Sequence, residues 1–438
     1  MENLAVMNEM VRSVGPDGAP PRQQGERPTV RRLNFQCRSC GGTNFAPVID
    51  LGETPLANAL LDPQARRQPE PRHPLRVVFC EVCSLVQIVE TVPPEELFSH
   101  YVYLSSFSDS AVKAARALAG RLVETRRLTE ASLVIEAASN DGYLLQHYRD
   151  LGVPVLGIEP AANIAEIAEG KGIRTRCDFF GRSIGEQLAA EGLRCDVFHA
   201  NNVLAHVADL NGFVAGIAAV LKSDGVASIE VPYLGELLDK LEFDTIYHEH
   251  LCYFSATALD RLFTRHGLSL WDVEHLPIHG GSLRLFVGHA GARRTERVTA
   301  LLQQEAARGL TAPAAYADFE ARVMSLRQEL TALLRDLKAS GKTIAAYGAS
   351  AKGATLLNYC GIGADLLDFV ADRSTVKQGK LTPGTHLPIV ADDQLLVRKP
   401  DYVLLLVWNF ADEVLRQQQA YRAAGGRFIL PVPKPAIV

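Results

Sequence analysis

The stretch LVIEAASNDGYLLQHY, residues 133–148, places an apolar strand, a turn of small residues and an amphipathic helix one after another. A unit of this kind directs backbone N–H groups of the turn toward a ligand. Seventeen residues after Gly142, Glu159 ends the next apolar run, where a carboxylate can accept hydrogen bonds from both hydroxyls of a ribose. The stretch therefore predicts a nucleotide cofactor and a helix that begins near Gly142, capped by Asn140 or Asp141.

Two cofactors fit this arrangement, NAD and S-adenosylmethionine. A dinucleotide-binding turn is spelled GxGxxG, whereas Ala138, Ser139 and Asn140 stand here in its place. A turn this poor in glycine, with Asp141 leading the helix, suits a cationic sulfonium better than a pyrophosphate. We therefore expect S-adenosylmethionine, bound by residues of this turn and of the neighbouring strand ends: Glu136, Ala138, Asn140, Gly142, Tyr143, Glu159, Asp178, Phe179, Asn201 and Asn202.

Apolar runs alternate with amphipathic segments along most of the chain, which is typical of a parallel sheet with helices on both faces. One such series spans residues 96–290. A helical pattern at 312–340 then leads into a second series, which begins with KTIAAYGAS at 342–350. The predicted fold class is therefore α/β.

Four of the eight cysteines form two CxxC pairs, Cys37 with Cys40 and Cys80 with Cys83. Such pairs favour a tetrahedral Zn²⁺ site over disulfides in a reducing compartment. Four thiolates leave no open coordination position, so the expected zinc is structural. The 39 residues between the pairs exceed the spacing of a simple zinc ribbon, and unligated thiols or a redox pair stay open as alternatives. The module is short, and the metal would supply stability that its core lacks.

The overall composition excludes two classes of partner. A formal charge of −5 and a pI near 6.2 argue against a nucleic-acid binder that works through bulk positive charge. No apolar run reaches the roughly 18 residues of a membrane helix, and no signal peptide is recognisable. We expect a cytoplasmic protein, a monomer or a weak homo-oligomer, without a nucleic-acid or membrane partner. Residues 1–33, rich in Pro, Gly and Arg, are expected to be flexible.

A set of long motifs in fixed order resembles the zinc-containing, S-adenosylmethionine-dependent sugar C-methyltransferases: CRSCGG, CEVCSLVQ, EAASNDGYLL, NNVLAHV, EVPY, YHEHLCYFS, HGGSLR and YGASAKG. The resemblance runs from about residue 35 to the C-terminus. It implies an N-terminal zinc-binding module over 34–95, a central Rossmann-like S-adenosylmethionine-dependent methyltransferase domain over 96–290, and a C-terminal Rossmann-like α/β domain over 291–438 that helps to bind a nucleotide sugar. It also implies methylation of a carbon, usually C3 and in some relatives C5, of a dTDP-linked 4-keto deoxysugar in antibiotic biosynthesis.

Methylation of carbon requires a carbon nucleophile, and a neighbouring ketone makes one accessible. Removal of the proton α to C4=O gives an enolate if a base takes the proton and a donor stabilises the oxyanion. The segment FDTIYHEHLCYFS, residues 243–255, is dense in groups that carry protons. Spacing alone does not assign their roles: in an extended chain Tyr247 and Glu249 share a face, whereas in a helical one Tyr247 and His250 do.

The resemblance assigns active-site positions to Tyr247, Glu249, His250, His206 and one of Tyr101 and Tyr103. We expect His250 to be the general base, because a neutral imidazole is matched to neutral pH. Glu249 would orient or polarise it, and Tyr247 would donate to the enolate or take part in proton transfer. His206 would contact the C4 oxygen. We interpret His248 and Asp244 as structural.

The stretch AAYGASAKGATLL, residues 345–357, again reads as strand, turn and helix, with Ser350 and Lys352 at the helix start. Backbone N–H groups and one ammonium suit a phosphate, and a merely packed turn is the alternative. Arg284, and Arg373 with Lys377, are weaker candidates for a pyrophosphate of the substrate.

Two other functions remain open from the sequence. An O-methyltransferase would need no carbon acid. A non-catalytic protein that holds a nucleotide sugar is suggested by the departure of the cofactor turn from the commoner glycine-rich spelling.

Overall fold

Three β-sheets organise the part of the chain that the structure, a computed structural model, describes: residues 35–98, 104–107, 109–278, 280–291 and 293–438. The predicted leader over 1–33 and both candidate tyrosines, Tyr101 and Tyr103, lie outside the described residues. No helix among the described residues is both long enough and apolar enough to cross a membrane.

The strands are numbered in chain order as β1 (Phe45–Thr54), β2 (His73–Cys80), β3 (Val86–Ile88), β4 (Val134–Ala137), β5 (Val155–Ile158), β6 (Thr175–Arg176), β7 (Cys195–Asn201), β8 (Leu221–Pro232), β9 (Cys252–Tyr253), β10 (Leu268–Leu276), β11 (Ser282–His289), β12 (Ile344–Tyr347), β13 (Val370–Asp372), β14 (Ile389–Ala391), β15 (Tyr402–Leu405), β16 (Arg427–Leu430) and β17 (Ala436–Ile437). The helices are α1 (Pro94–Phe98), α2 (Asp109–Arg126), α3 (Leu145–Asp150), α4 (Ala162–Gly170), α5 (Arg182–Ala190), α6 (Leu210–Val220), α7 (Leu234–Lys240), α8 (Ala256–Arg265), α9 (Glu296–Ala307), α10 (Phe319–Ala339), α11 (Ala351–Cys360), α12 (Gln394–Arg398), α13 (Ala411–Gln417) and α14 (Gln419–Ala423).

The central sheet has the order β10-β11-β8-β7-β4-β5-β6. Strands β8, β7, β4, β5 and β6 run parallel, while β11 is antiparallel to both of its neighbours. The chain leaves β4 toward β6 on one side and returns to β7 and β8 on the other. The order of the strands therefore reverses between β4 and β7, and such a switch point opens a crevice at the carboxyl ends of the strands.

The core of this domain explains why the quoted stretch folds as predicted. All four residues of β4 are buried, as a strand covered on both faces requires. Leu145 and Tyr148 of α3 are fully buried and pack with Val197 and Phe286. Each such burial contributes roughly 1.5–3 kcal/mol, so the periodicity of the sequence determines which face of α3 meets the sheet.

The N-terminal sheet has the order β1-β2-β3-β9. Its last strand, β9, comes from Cys252–Tyr253, more than 150 residues beyond β3, and pairs through Val86 with Tyr253 and Gln87 with Cys252. The segment YHEH immediately precedes this strand. The zinc-binding module and the candidate catalytic segment are therefore joined by backbone hydrogen bonds.

The C-terminal sheet has the order β14-β13-β12-β15-β16-β17, and all its strands except β17 run parallel. The order again reverses at β12, which the turn Gly348–Ser350 joins to α11. With the central sheet, this arrangement confirms the predicted α/β fold class.

The structure corrects one prediction at the first turn. The helix begins at Leu145, three residues later than expected, and no side chain caps it. The backbone of Ala138, Asn140 and Gly142 adopts positive φ angles of 50°, 52° and 76°, so the turn is wider than the sequence suggested. Asp141 forms an ion pair with Lys171 at 2.7 Å and does not cap the helix.

Candidate functional site

One large cavity opens at the carboxyl ends of β4 and β7 and extends to the C-terminal domain. Its volume is about 860 Å³, which lies within the range of ligand sites. The walls combine residues of the first turn, of the segment 245–250 and of the region 408–416. A cavity of this size has room for a nucleotide cofactor and a second ligand together.

The first turn shapes the cofactor end of the cavity. A Cβ added to Gly142 would approach Ile173 to 2.8 Å, so this position needs glycine for space as well as for its positive φ. The buried carboxylate of Glu159 accepts hydrogen bonds from the backbone N–H groups of Asn140 and Ala161, both at 2.9 Å. Each carboxylate oxygen keeps a further acceptor site, and Glu159 lines the cavity. The geometry is suited to the two hydroxyls of a ribose.

Most of the predicted cofactor residues lie at this end. Those that line the cavity are Ala138, Asn140, Tyr143, Glu159, Phe179, Asn201 and Asn202. Asn201 adds a buried carbonyl oxygen that has no hydrogen-bond partner among the described residues. This unsatisfied acceptor suits a ligand with N–H or O–H donors.

Three predicted cofactor residues are absent from the lining. Gly142 acts through the backbone. Asp178 pairs with Arg176 at 2.7 Å at the surface. Glu136 is buried beneath the turn, and burial first, then the charges of Glu159 and Glu230, raises its pKa well above the ordinary value. The expectation that Glu136 and Asp178 contact the cofactor is therefore not favoured by their positions.

The segment YHEH forms a turn in which the N–H of His250 donates to the carbonyl of Tyr247 at 2.8 Å. This turn brings the first and fourth side chains together, in agreement with the helical alternative for their spacing. The hydroxyl of Tyr247 lies 2.8 Å from His250 Nε2, and their rings are 4.1 Å apart between centroids. Both residues line the cavity.

The surroundings of His250 determine which ring nitrogen carries its proton. Nδ1 lies 2.8 Å from the carbonyl oxygen of Thr245, which can only accept, so Nδ1 must be protonated. Nε2 of the neutral ring is then a lone pair that accepts from Tyr247. The pair Tyr247–His250 is thus ordered for removing a proton.

The structure shows one partner of Glu249, and its expected role of orienting or polarising His250 stays a prediction. Its carboxylate accepts a hydrogen bond from Asn58 Nδ2 of the zinc-binding module at 2.6 Å, and Glu249 does not line the cavity. Burial raises the pKa of Glu249 to about 7, against the opposing effects of Asn58 and Lys377. The backbone carbonyl of Thr245 also orients His250, an interaction that a pattern of side chains cannot reveal.

His206 lies beside this pair, with its ring centroid 4.7 Å from that of His250. Burial lowers the pKa of His206 to about 4, although a hydrogen bond to the backbone of Glu249 opposes the shift. The imidazole is therefore neutral at neutral pH. A neutral ring has a single N–H, and in His206 this N–H bonds to the backbone of Glu249. The other ring nitrogen is an acceptor, so His206 is better suited to accept from a sugar hydroxyl than to donate to an oxyanion.

Three cations line the cavity, and their partners differ. The buried Arg284 forms ion pairs with Glu230 at 2.6 Å and Glu274 at 3.3 Å. Its charge is thus matched within the sheet, which does not favour the predicted contact with a pyrophosphate. Lys352 and Arg416 form no ion pair with a described residue.

Lys352 stands over the indole of Trp408 at 4.8 Å. Burial lowers its pKa, while Asp244 and Glu242 behind it raise it. Burial in turn raises the pKa of Asp244 to about 6 and that of Glu242 to about 7. This end of the cavity therefore combines a cation with an aromatic face, and two buried carboxyls outside the lining influence the charge of the cation.

The other predicted phosphate ligands lie elsewhere. Ser350 accepts from the N–H of Gly353 at 3.1 Å and so caps α11. Arg373 does not line the cavity, and Lys377 donates to the carbonyl of Ala349 at 2.8 Å. Phe180, Trp408 and Arg416 also line the cavity, although no motif in the sequence pointed to them. Trp408 follows the carboxyl end of β15. Ligands of parallel sheets bind at the carboxyl ends of the strands, so the position of Trp408 could have been found from the sequence.

The four predicted zinc ligands converge. The sulfurs of Cys37, Cys40, Cys80 and Cys83 all lie within 4.8 Å of one another, and two of the distances are 3.5 Å (Cys37 to Cys83) and 3.6 Å (Cys40 to Cys80). Zn–S bonds of about 2.3 Å in a tetrahedron require sulfurs about 3.8 Å apart. Gln87 Nε2 lies 3.1 Å from Cys37 Sγ and can donate to its thiolate. The site fits structural Zn²⁺.

Comparison with protein families accounts for most of the described chain. Residues 37–98 match a zinc binding domain, residues 112–273 a methyltransferase domain, and residues 277–433 the C-methyltransferase C-terminal domain. The chain is 38% identical over 405 residues to the C-methyltransferase NovU of Streptomyces niveus, covering 92% of this chain and 96% of that protein.

More distant similarities are confined to part of the chain. The ubiquinone biosynthesis O-methyltransferase of Bartonella quintana (strain Toulouse) is 31% identical over 94 residues, or 21% of this chain and 38% of that protein. Magnesium protoporphyrin IX methyltransferase from Synechocystis PCC 6803, with bound SAM, covers 40% of this chain and 77% of its own at 13% identity and a TM-score of 0.31. The CcbJ methyltransferase from Streptomyces caelestis covers 40% and 90% at 14% identity and a TM-score of 0.31.

Proposed function

The chain belongs to the zinc-containing, S-adenosylmethionine-dependent C-methyltransferases, and we propose that it methylates C3 of a dTDP-linked 4-keto deoxysugar in antibiotic biosynthesis through an enolate. The observation that carries the proposal is the shared cavity. The Tyr247–His250 pair, the Glu159 turn and the cations Lys352 and Arg416 all line it.

The cofactor end would hold S-adenosylmethionine through the residues already described. Glu159 would accept from the ribose hydroxyls, Phe179 would pack against the adenine, and Asn201 would accept from a donor of the ligand. When bound, S-adenosylmethionine supplies a methyl group on a positively charged sulfur.

The Tyr247–His250 pair would remove the proton from the carbon next to the ketone. The C–H bond breaks, its electron pair moves into the enolate, and the proton reaches His250 Nε2 directly or by way of the Tyr247 hydroxyl. The resulting imidazolium is stabilised because its Nδ1–H donates to the carbonyl of Thr245. Tyr247 then has a hydroxyl that can donate to the enolate oxygen. Enclosure of these groups in the cavity limits access of water.

The C-terminal wall would hold the nucleotide. Lys352 and Arg416 offer two positive charges that no described carboxylate pairs, and a diphosphate carries the complementary charge. Trp408, beneath Lys352, offers an aromatic face. The proposed substrate therefore spans the two Rossmann-like domains, with its sugar at Tyr247 and its phosphates at Lys352.

A direct test is incubation of the purified protein with S-adenosylmethionine labelled with ¹³C in its methyl group and a panel of dTDP-4-keto deoxysugars. Product NMR should show the label on C3. A label on C5 or on oxygen would replace the proposed position, and a protein that labels no sugar in the panel would refute the proposed substrate class.

A second test isolates the proton transfer. In D₂O without S-adenosylmethionine, the wild-type protein should exchange the C3 hydrogen of the accepted sugar. The variant His250→Gln should lose this exchange and bind S-adenosylmethionine with unchanged affinity, because His250 contributes to the base and not to the cofactor end. Retention of exchange by His250→Gln would exclude it as the base.

A further inference from the structure

The three residues before the YHEH turn, 244–246, form hydrogen bonds in alternation: the outer two with the C-terminal domain and the middle one with His250. Asp244 Oδ2 accepts a hydrogen bond of 2.6 Å from Trp408 Nε1 of the C-terminal domain. The carbonyl of Ile246 accepts one of 3.2 Å from Thr355 Oγ1 of α11. Between them, the carbonyl of Thr245 holds His250 Nδ1. The C-terminal domain therefore forms hydrogen bonds with this segment on both sides of Thr245, whose carbonyl orients His250.

The contact of Asp244 is unusual in its burial. The residue is completely buried, and its second carboxylate oxygen has no hydrogen-bond partner among the described residues. Carboxylates in such surroundings are costly unless a strong donor compensates them. Trp408 is the donor to Asp244, and Lys352 lies over the indole face of the same tryptophan. Asp244, Trp408 and Lys352 thus connect a cation that lines the cavity to the backbone beside His250.

We propose that Asp244 is a positioning residue for the reaction: its hydrogen bond with Trp408 fixes the Thr245 carbonyl and thereby keeps His250 in the tautomer that leaves Nε2 as the base. Asp244 itself does not line the cavity, so it acts through Thr245 and Trp408. Asp244 thus keeps the structural character expected from the sequence and, in this proposal, also positions His250.

The tautomer of His250 can be measured without any substrate, which separates this inference from the proposed function. ¹⁵N-histidine labelling and long-range NMR distinguish Nδ1–H from Nε2–H rings, and His250→Gln identifies the signal among the 12 histidines. The wild-type protein should show the Nδ1–H form. Asp244→Ala should shift His250 toward the Nε2–H form, whereas Asp244→Asn, which keeps an acceptor for Trp408, should preserve it.

A matched control removes a buried hydrogen bond that does not reach the segment. Tyr421 donates to the carbonyl of Pro400 at 2.7 Å within the C-terminal domain, so Tyr421→Phe should leave the His250 tautomer unchanged. An Nδ1–H signal in Asp244→Ala identical to that in Tyr421→Phe would overturn the proposal. If Asp244→Ala does not fold, Trp408→Phe removes the same hydrogen bond and must give the same shift.

Kinetics provide a second measurement, which rests on the proposed function. With the sugar that the wild-type protein methylates, Asp244→Ala should lower kcat by about 100-fold, as expected for a misplaced base, with KM for S-adenosylmethionine unchanged. The double variant Asp244→Ala/Trp408→Phe should be no slower than Asp244→Ala alone, because one hydrogen bond is lost in both. Multiplicative losses would show independent effects and would overturn the proposal.

Discussion

The buried carboxyl of Glu242 makes the stability of the protein depend on pH. Glu242 is 2% exposed, and its Oε1 has no hydrogen-bond partner among the described residues. Burial raises its pKa from 4.5 to about 7, with Lys352 and Lys240 opposing the shift and Asp244 adding to it. The folded protein therefore holds a proton that the unfolded chain releases between pH 4.5 and 7.

The sign of the effect follows from this difference. A raised carboxyl pKa contributes stability that is fully present below the pKa of the unfolded chain and is lost as the pH rises through the folded value. Glutamine cannot ionise, so Glu242→Gln avoids the loss. At about 1.4 kcal/mol for each pKa unit, the variant should gain roughly 1 kcal/mol over wild type at pH 5 and roughly 3 kcal/mol at pH 8.

Urea unfolding at several pH values between 5 and 8 measures this gain. The control is Glu124→Gln, which makes the same substitution at an exposed carboxylate on α2. The size of the difference in unfolding free energy between Glu242→Gln and wild type also depends on how the amide packs. The test is therefore the change of this difference with pH. A difference between variant and wild type that stays constant from pH 5 to 8 would refute the assignment of a raised pKa to this residue.

Three further predictions concern the binding sites. Arg416→Gln should raise KM for the nucleotide sugar roughly tenfold and leave the affinity for S-adenosylmethionine unchanged in calorimetry, since one charge-assisted contact to phosphate is lost. Glu159→Gln should weaken S-adenosylmethionine roughly tenfold or more in the same assay, with KM for the sugar little changed; unchanged cofactor affinity would argue against its contact with the ribose. Cys80→Ser should abolish bound zinc in elemental analysis and lower the thermal midpoint, and retention of zinc would contradict the four-cysteine site.

The sequence was most informative where neighbouring residues determine the outcome. The two CxxC pairs identify zinc ligands because each pair is local and sulfur has few other uses in that pattern. Alternating apolar runs predict parallel strands, and Glu159 stands at the end of one of them. Helix limits were less accurate, since Ala138 and Asn140 adopt positive φ angles in a turn whose Asn140 N–H donates to the distant Glu159.

The roles inside YHEH could not be read from spacing. Glu249 was expected to orient or polarise His250, and its carboxylate has Asn58 as a partner, 191 residues away in sequence. The residue that does orient His250 contributes a backbone carbonyl, which every amino acid possesses. Arg284 was likewise a candidate for a pyrophosphate contact, but the pairing of β11 with β8 places it beside Glu230, with which it forms an ion pair.

By itself, the amino-acid sequence determined the fold class, the metal ligands and the position of Glu159 at a strand end that lines the cavity, because periodicity, ligand chemistry and strand ends are properties of short segments. Tertiary structure alone decided that Asp244 accepts a hydrogen bond from Trp408, that Thr245 contacts His250, and that Lys352 lines the same cavity as His250. These contacts join residues more than 100 positions apart or involve the backbone, and only the packing of the sheets against one another brings such groups within hydrogen-bonding distance.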